Sequence, residues 1–184
     1  LKQESIYFSQ INYTYNCLVS TLKIKYFISG SRNSNDGVTK KIFSQVSELN
    51  RLGQDIELVL VSIGDVHYPP CNFLTTHKVG NIPTGDFFGR IRRAREINKI
   101  FSEVINSLGP NDVLYYRCTG AFPLYYPKNY CKLFRTCKIV TEHQTKELDE
   151  CKLTGSTLDY WSDYFFGKLL RKQSDAIIGV TDEI

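Results

Sequence analysis

One apolar run, Lys138 to Val140, passes directly into Thr141, Glu142, His143 and Gln144. A neutral imidazole carries one donor and one acceptor, which suits it to hold a sugar hydroxyl or a phosphate oxygen. Neighbours on an extended strand point to opposite faces, so Glu142 and His143 are not placed to form a catalytic dyad, and one of the two is expected to be structural. A lone histidine at a strand end also reads as a hydrogen-bonded core residue. Arg117, at the end of "VLYYR", has two readings as well: a partner for phosphate or an acidic acceptor, or one half of a salt bridge to Glu142 or Asp182. In "NDGVT", Gly37 lets a backbone approach closely, and the helix that starts there offers unpaired N–H groups to an anion such as a diphosphate. The same stretch reads as a plain cap, with Asp36 or Asn35 accepting the first N–H groups.

Elements that place these residues follow from the apolar pattern. Compact apolar runs predict strands near Lys23–Ile28, Ile56–Ser62, Val113–Tyr116, Lys138–Thr141 and Ala176–Val180. Between them, Val38, Ile42, Phe43, Val46, Leu49 and Leu52 recur at helical spacing and Gly53 stops the helix. Ile91 to Leu108 forms a second amphipathic helix, Leu124 to Phe134 a third, and Tyr160 to Arg171 a fourth. The stretch from Asp65 to Gly85 reads as irregular. Alternating strands and helices imply right-handed crossovers and a parallel sheet with helices on both faces, a doubly wound α/β domain spanning residues 22–184. Residues 1–21 hold no period and read as an arm of uncertain structure. Ligands of such sheets bind beyond the carboxyl ends of the strands. That rim carries Ser29–Ser31, Gly64–Asp65, Arg117–Gly120, Glu142–Gln144 and Thr181–Asp182.

Several classes fall away. A net charge of +4 over 184 residues is too weak to imply nucleic acid. Gly30 is followed by no glycine until Gly37, so the dinucleotide fingerprint is missing, and no Walker A sequence occurs. This argues against a nucleotide-dependent oxidoreductase. The six cysteines form no C-x-x-C pair and, with His143, fit no structural zinc spacing. Reduced thiols, no bilayer-spanning stretch and no signal-peptide pattern lead to the expectation of a cytoplasmic protein. Arg90, Arg92, Arg93 and Arg95 on one helix, with Lys168, Arg171 and Lys172 on another, suggest peripheral contact with anionic membrane.

The order of "GVTKKIFSQVSELNRLGQDIELVLVS", "PNDVLYYR", "KIVTEHQT" and "LRKQSDAIIGVTDEI" resembles the N-terminal domain of a family-four glycosyltransferase of the GT-B fold, from about Leu22 to the end. The resemblance implies two Rossmann-like domains facing a cleft. The N-terminal one mainly binds a glycan or lipid-linked acceptor, and the C-terminal one holds a nucleotide sugar. Transfer then retains anomeric configuration without a cofactor and usually without a metal. Carried over by position, His143 becomes the catalytic candidate and Gly37 lies near the donor diphosphate; Arg117 and Glu142, from their place on the strand-end rim, complete the substrate-binding candidates with Gly37. The donor-binding domain lies outside this sequence, so the chain alone is expected to be inactive. A stand-alone flavodoxin-like binding or regulatory module is the alternative reading.

Overall fold

The structure, a computed structural model, describes residues 22–30, 37–63, 68, 70–80, 87–117, 132, 136–143, 152, 153, 155 and 157–179. Six strands, β1 (Lys23–Gly30), β2 (Asp55–Ile63), β3 (Leu74–Val79), β4 (Val113–Arg117), β5 (Lys138–His143) and β6 (Ala176–Gly179), form one sheet in the order β3-β2-β1-β4-β5-β6. Every pairing is parallel. The helices are α1 (Gly37–Arg51), α2 (Phe87–Asn106) and a late helical run. That run begins as α3 (Thr157–Ser162), passes through a π-helical turn (Asp163–Gly167) and continues as α4 (Lys168–Gln173). This is the expected doubly wound, Rossmann-like sheet. Its strand order is the dinucleotide-binding type and not the 2-1-3-4-5 order of flavodoxin.

The two faces are separated by the alternation of residues along each strand. Phe27, Val59, Val61, Leu114, Tyr116 and Ile139 pack with Ile97, Phe101, Val104 and Ile105 of α2, with Leu108 just beyond it and with Leu170 of α4. Phe101 sits edge-on to Phe27, with ring centroids 4.8 Å apart, and to Tyr116 at 6.0 Å. The opposite face carries Tyr26, Ile28, Ile56, Leu58 and Leu60 against Ile42 and Val46 of α1. Gly53, at φ +80°, ends α1. Its N–H donates to Asn50 O at 2.9 Å, and the Gln54 N–H donates to Leu49 O at 3.1 Å, the paired bonds of a Schellman stop.

Asp112 fixes the amino-terminal edge of the sheet. Its carboxylate accepts from the backbone N–H of Lys23 at 3.3 Å and of Gly109 at 2.7 Å, and its carbonyl accepts from the Lys138 N–H at 2.8 Å. The starts of β1, β4 and β5 are thereby held level, and the same register brings their carboxyl ends together at the opposite edge.

One expectation changes. The stretch from Asp65 to Gly85 is not wholly irregular, because Leu74–Val79 forms β3 at the sheet edge, paired with β2. Strand β5 runs past Thr141 and includes Glu142 and His143, in line with their reading as neighbours on an extended strand. The arm at 1–21 and Asp182 lie outside the described residues, as does the helix expected over 124–134 but for Lys132. Among the described residues, no helix is long and apolar enough to cross a membrane.

The π-helical turn has a packing reason. Asp163 is wholly buried and accepts two hydrogen bonds from Arg171, at 3.2 and 3.0 Å. A Cβ at Gly167 would fall inside that carboxylate. Alanine in place of a helical glycine ordinarily gains up to about 1 kcal/mol. Here Gly167→Ala is expected to lose about 1–3 kcal/mol by pushing Asp163 off Arg171. Urea unfolding measures the difference, and a variant more stable than the parent would contradict this account.

Candidate functional site

The carboxyl ends of β1, β4 and β5 carry a buried polar cluster on the α1 face. Glu142 is 1% exposed. Its Oε2 accepts from the Tyr26 hydroxyl at 2.8 Å and from the Tyr115 hydroxyl at 2.9 Å. Its Oε1 lies 3.6 Å from Lys41 Nζ and 3.8 Å from Arg117 Nη1. Strand geometry explains the convergence. Tyr26 and Tyr115 are register partners on β1 and β4, their rings stack at 4.4 Å, and Arg117 and Glu142 are partners on β4 and β5. Lys41 lies one turn into α1, so the first turn of that helix approaches the same carboxylate.

Burial, then the hydrogen bond and charge of Glu142, push the Tyr26 hydroxyl far above the ordinary phenol range. Tyr115 is raised by burial first and then by the charge and hydrogen bond of Glu142. Both therefore stay neutral donors. The Arg117 ion pair, at 3.8 Å, is too long for a hydrogen bond, and Nη1 has no acceptor although the residue is only 4% exposed. Ser62 Oγ, on the same face at the end of β2, is also buried without a hydrogen-bond partner among the described residues. Ser62 is the register partner of Gly30. These two polar groups therefore stand on either side of the end of β1. The strand order reverses between β1 and β4, which is where sheets of this type form a crevice.

Gly37 opens α1, and a Cβ there would meet nothing within 4 Å. Packing of the described chain thus does not require glycine at this position. Further along α1, an open groove of about 480 Å³ runs between Ser44, Gln45, Glu48 and Leu49 of the helix and Tyr26, Tyr115 and Ile178 of the sheet. Gln45 Oε1 in its wall is buried without a hydrogen-bond partner.

His143 is wholly buried on the other face. Its Nε2 lies 3.2 Å from Thr141 Oγ1. Thr141 in turn donates to Ser174 Oγ at 3.3 Å, and Ser174 donates to Leu170 O at 2.8 Å. With both hydroxyl protons used in that direction, Nε2 is the donor to Thr141.

Of the four site residues expected from the sequence, the structure brings Arg117 and Glu142 together and sets Gly37 at the head of the helix whose next turn meets them. It sets His143 apart on the opposite face. Arg117 thus takes the salt-bridge partner expected of it. Sequence reading missed Tyr26, Tyr115, Lys41 and Ser62. The parity of "KIKYFI" and "VLYYR" was the available clue, since each places a tyrosine hydroxyl on the face that Glu142 occupies. Among the described residues, no three His, Cys, Asp or Glu side chains are grouped to hold a metal ion. Comparison with family models, curated proteins and solved structures finds no match to this chain.

A pH dependence follows. A hydroxyl raised above its ordinary value of 10.0 in the folded state stabilises the fold fully below pH 10, and that stability is lost as pH rises beyond it. Cys137, pushed up to about 11 from 9.0 chiefly by burial, acts in the same sense from pH 9 upward. Thermal melts should hold level to about pH 9 and fall steeply above pH 10. Tyr26→Phe, which removes one donor to a buried carboxylate, is expected to cost about 1–3 kcal/mol at neutral pH and to lessen the alkaline fall. A Phe variant as stable as the parent would contradict the cluster.

Proposed function

We propose that this chain is the acceptor-side N-terminal domain of a retaining glycosyltransferase, moving a sugar from a nucleotide-sugar donor to a glycan or lipid-linked acceptor. The observation that supports it best is the pair of buried, unbonded groups, Ser62 Oγ and Arg117 Nη1, on either side of the end of β1. Leaving such groups without partners is costly, and a ligand bearing phosphate and hydroxyl oxygens satisfies both. The open space over Gly37 lets a diphosphate reach the first N–H groups of α1. The ordered resemblance of the strand and loop phrases supplies the reaction class. In this reading Glu142, itself paired with Lys41, holds Arg117 in place, and the open groove beside Tyr115 belongs to the acceptor side. His143, at the end of β5 on the opposite face, is the candidate contact to the transferred sugar, a role that requires its hydrogen bond to Thr141 to open. The C-terminal half of the cleft brings the donor and completes the enzyme.

Two variants of the complete two-domain enzyme test the reading by labelled-sugar transfer. Gly37→Ala should fold like the parent and lose roughly ten- to a hundred-fold in transfer, because a Cβ displaces the diphosphate. His143→Ala should lower turnover roughly ten- to a thousand-fold with little change in KM, as expected for a contact made in the transition state. Wild-type turnover in a folded His143→Ala protein would make His143 a core residue. Wild-type transfer in Gly37→Ala would remove the diphosphate from α1. The 184-residue chain by itself should bind UDP- and GDP-sugars weakly or not at all by calorimetry, and micromolar affinity would contradict the half-cleft assignment.

A further inference from the structure

The late helical run presents two unlike faces. Asp163, Gly167 and Leu170 are buried against the domain, and Arg171 turns inward to Asp163. The outward face carries Trp161 (51% exposed), Tyr164 (43%), Phe165 (60%) and Leu169 (38%). The three aromatic rings pack on one another. Trp161 and Phe165 stack at 5.8 Å, and Tyr164 stands edge-on to Trp161 at 5.8 Å and to Phe165 at 5.1 Å. Lys168 and Lys172 are exposed within the same face. Asp163, an acidic group of this run, is buried and neutralised by Arg171.

We infer that this face docks the protein on an anionic bilayer, with Trp161, Phe165 and Leu169 entering the headgroup boundary and Lys168 and Lys172 pairing with lipid phosphates. Contiguous exposed aromatic surface on a helix is unusual for a surface that meets only water. Tryptophan and tyrosine combine an apolar ring with a polar tip, which matches the wet edge of a bilayer. Lysines beside such a stripe give it the charge complement of anionic lipid and not of an apolar protein groove. Within this helical run the structure refines the set of basic residues expected at a membrane. Arg171 is withdrawn into its ion pair, and aromatic area joins Lys168 and Lys172. This inference does not depend on the glycosyltransferase reading.

Trp161 is the sole tryptophan of the chain, so its emission reports directly on this face. The 184-residue chain is titrated with vesicles of phosphatidylcholine alone, and of phosphatidylcholine with phosphatidylglycerol, at low and high salt. The expected result is a blue shift with the anionic vesicles that weakens with salt. Binding should fall about fivefold for each of Lys168→Gln and Lys172→Gln, as one surface charge removed. Phe165→Ser should reduce the shift while leaving the melting temperature unchanged, since this side chain makes no part of the buried face. No shift with anionic vesicles would overturn the inference. So would an equal shift with both vesicle types that salt leaves unchanged. A blue shift without vesicles that grows with protein concentration would assign the face to a second copy of the chain instead.

Discussion

The carboxylate of Glu142 sits at the end of a central strand with almost no contact with water. An ionised group in such a place is tolerated only when it is paired and hydrogen-bonded, because its desolvation costs several kcal/mol. Tyr26, Tyr115, Arg117 and Lys41 supply those partners from β1, β4 and α1. Three strands and a helix must therefore be in register for the charge to be accommodated. A slip of one residue in β4 or β5 would move Tyr115 or Glu142 to the other face and leave a buried charge alone. The cluster thus selects one register over its neighbours. It also fixes the end of the sheet that carries Ser62 and Gly30.

Alternation along β5 divides labour between adjacent residues. Glu142 enters the polar cluster beneath α1, while Thr141 and His143 face α4 and link to it through Ser174. Asp175 adds a second tie, accepting from the Ile139 N–H at 2.8 Å while its own N–H donates to Ile139 O at 2.9 Å. The carboxyl end of β5 is thereby held on both faces, by the Glu142 cluster and by the Ser174 chain, while Asp175 ties its start. The same links hold α4 on the sheet and leave the aromatic face of the helical run turned outward.

Much of the fold was legible because the central strands are near-continuous apolar runs and the helices keep a clean period, ending at unambiguous stops such as Gly53. Strand β3 was not. "LTTHKV" is an edge strand with few apolar residues, preceded by two prolines, and only its pairing with β2 reveals it. The site was legible in part. Position on the carboxyl rim picked out Arg117 and Glu142, the start of a helix picked out Gly37, and neighbour alternation separated Glu142 from His143. The tyrosines escaped because "KIKYFI" and "VLYYR" read as core, and a buried phenol looks apolar until a partner for its hydroxyl is found. Lys41 escaped because a lysine on an amphipathic helix looks solvated. Its partner lies far away in the chain, and only tertiary packing joins them.

The claim that the rest depends on is that Glu142 is a buried charge serving as a structural anchor and not a solvated side chain or a reagent. Glu142→Gln tests it most directly, since it keeps the shape and removes the charge, leaving Arg117 uncompensated. Thermal unfolding at neutral pH is the measurement. Loss of one partner of a buried pair costs about 3–5 kcal/mol, which for a chain of this size lowers the melting temperature by roughly 10 °C. That drop is the predicted result. A Glu142→Gln protein that melts with the parent would contradict the account and leave Glu142 free to act on a ligand.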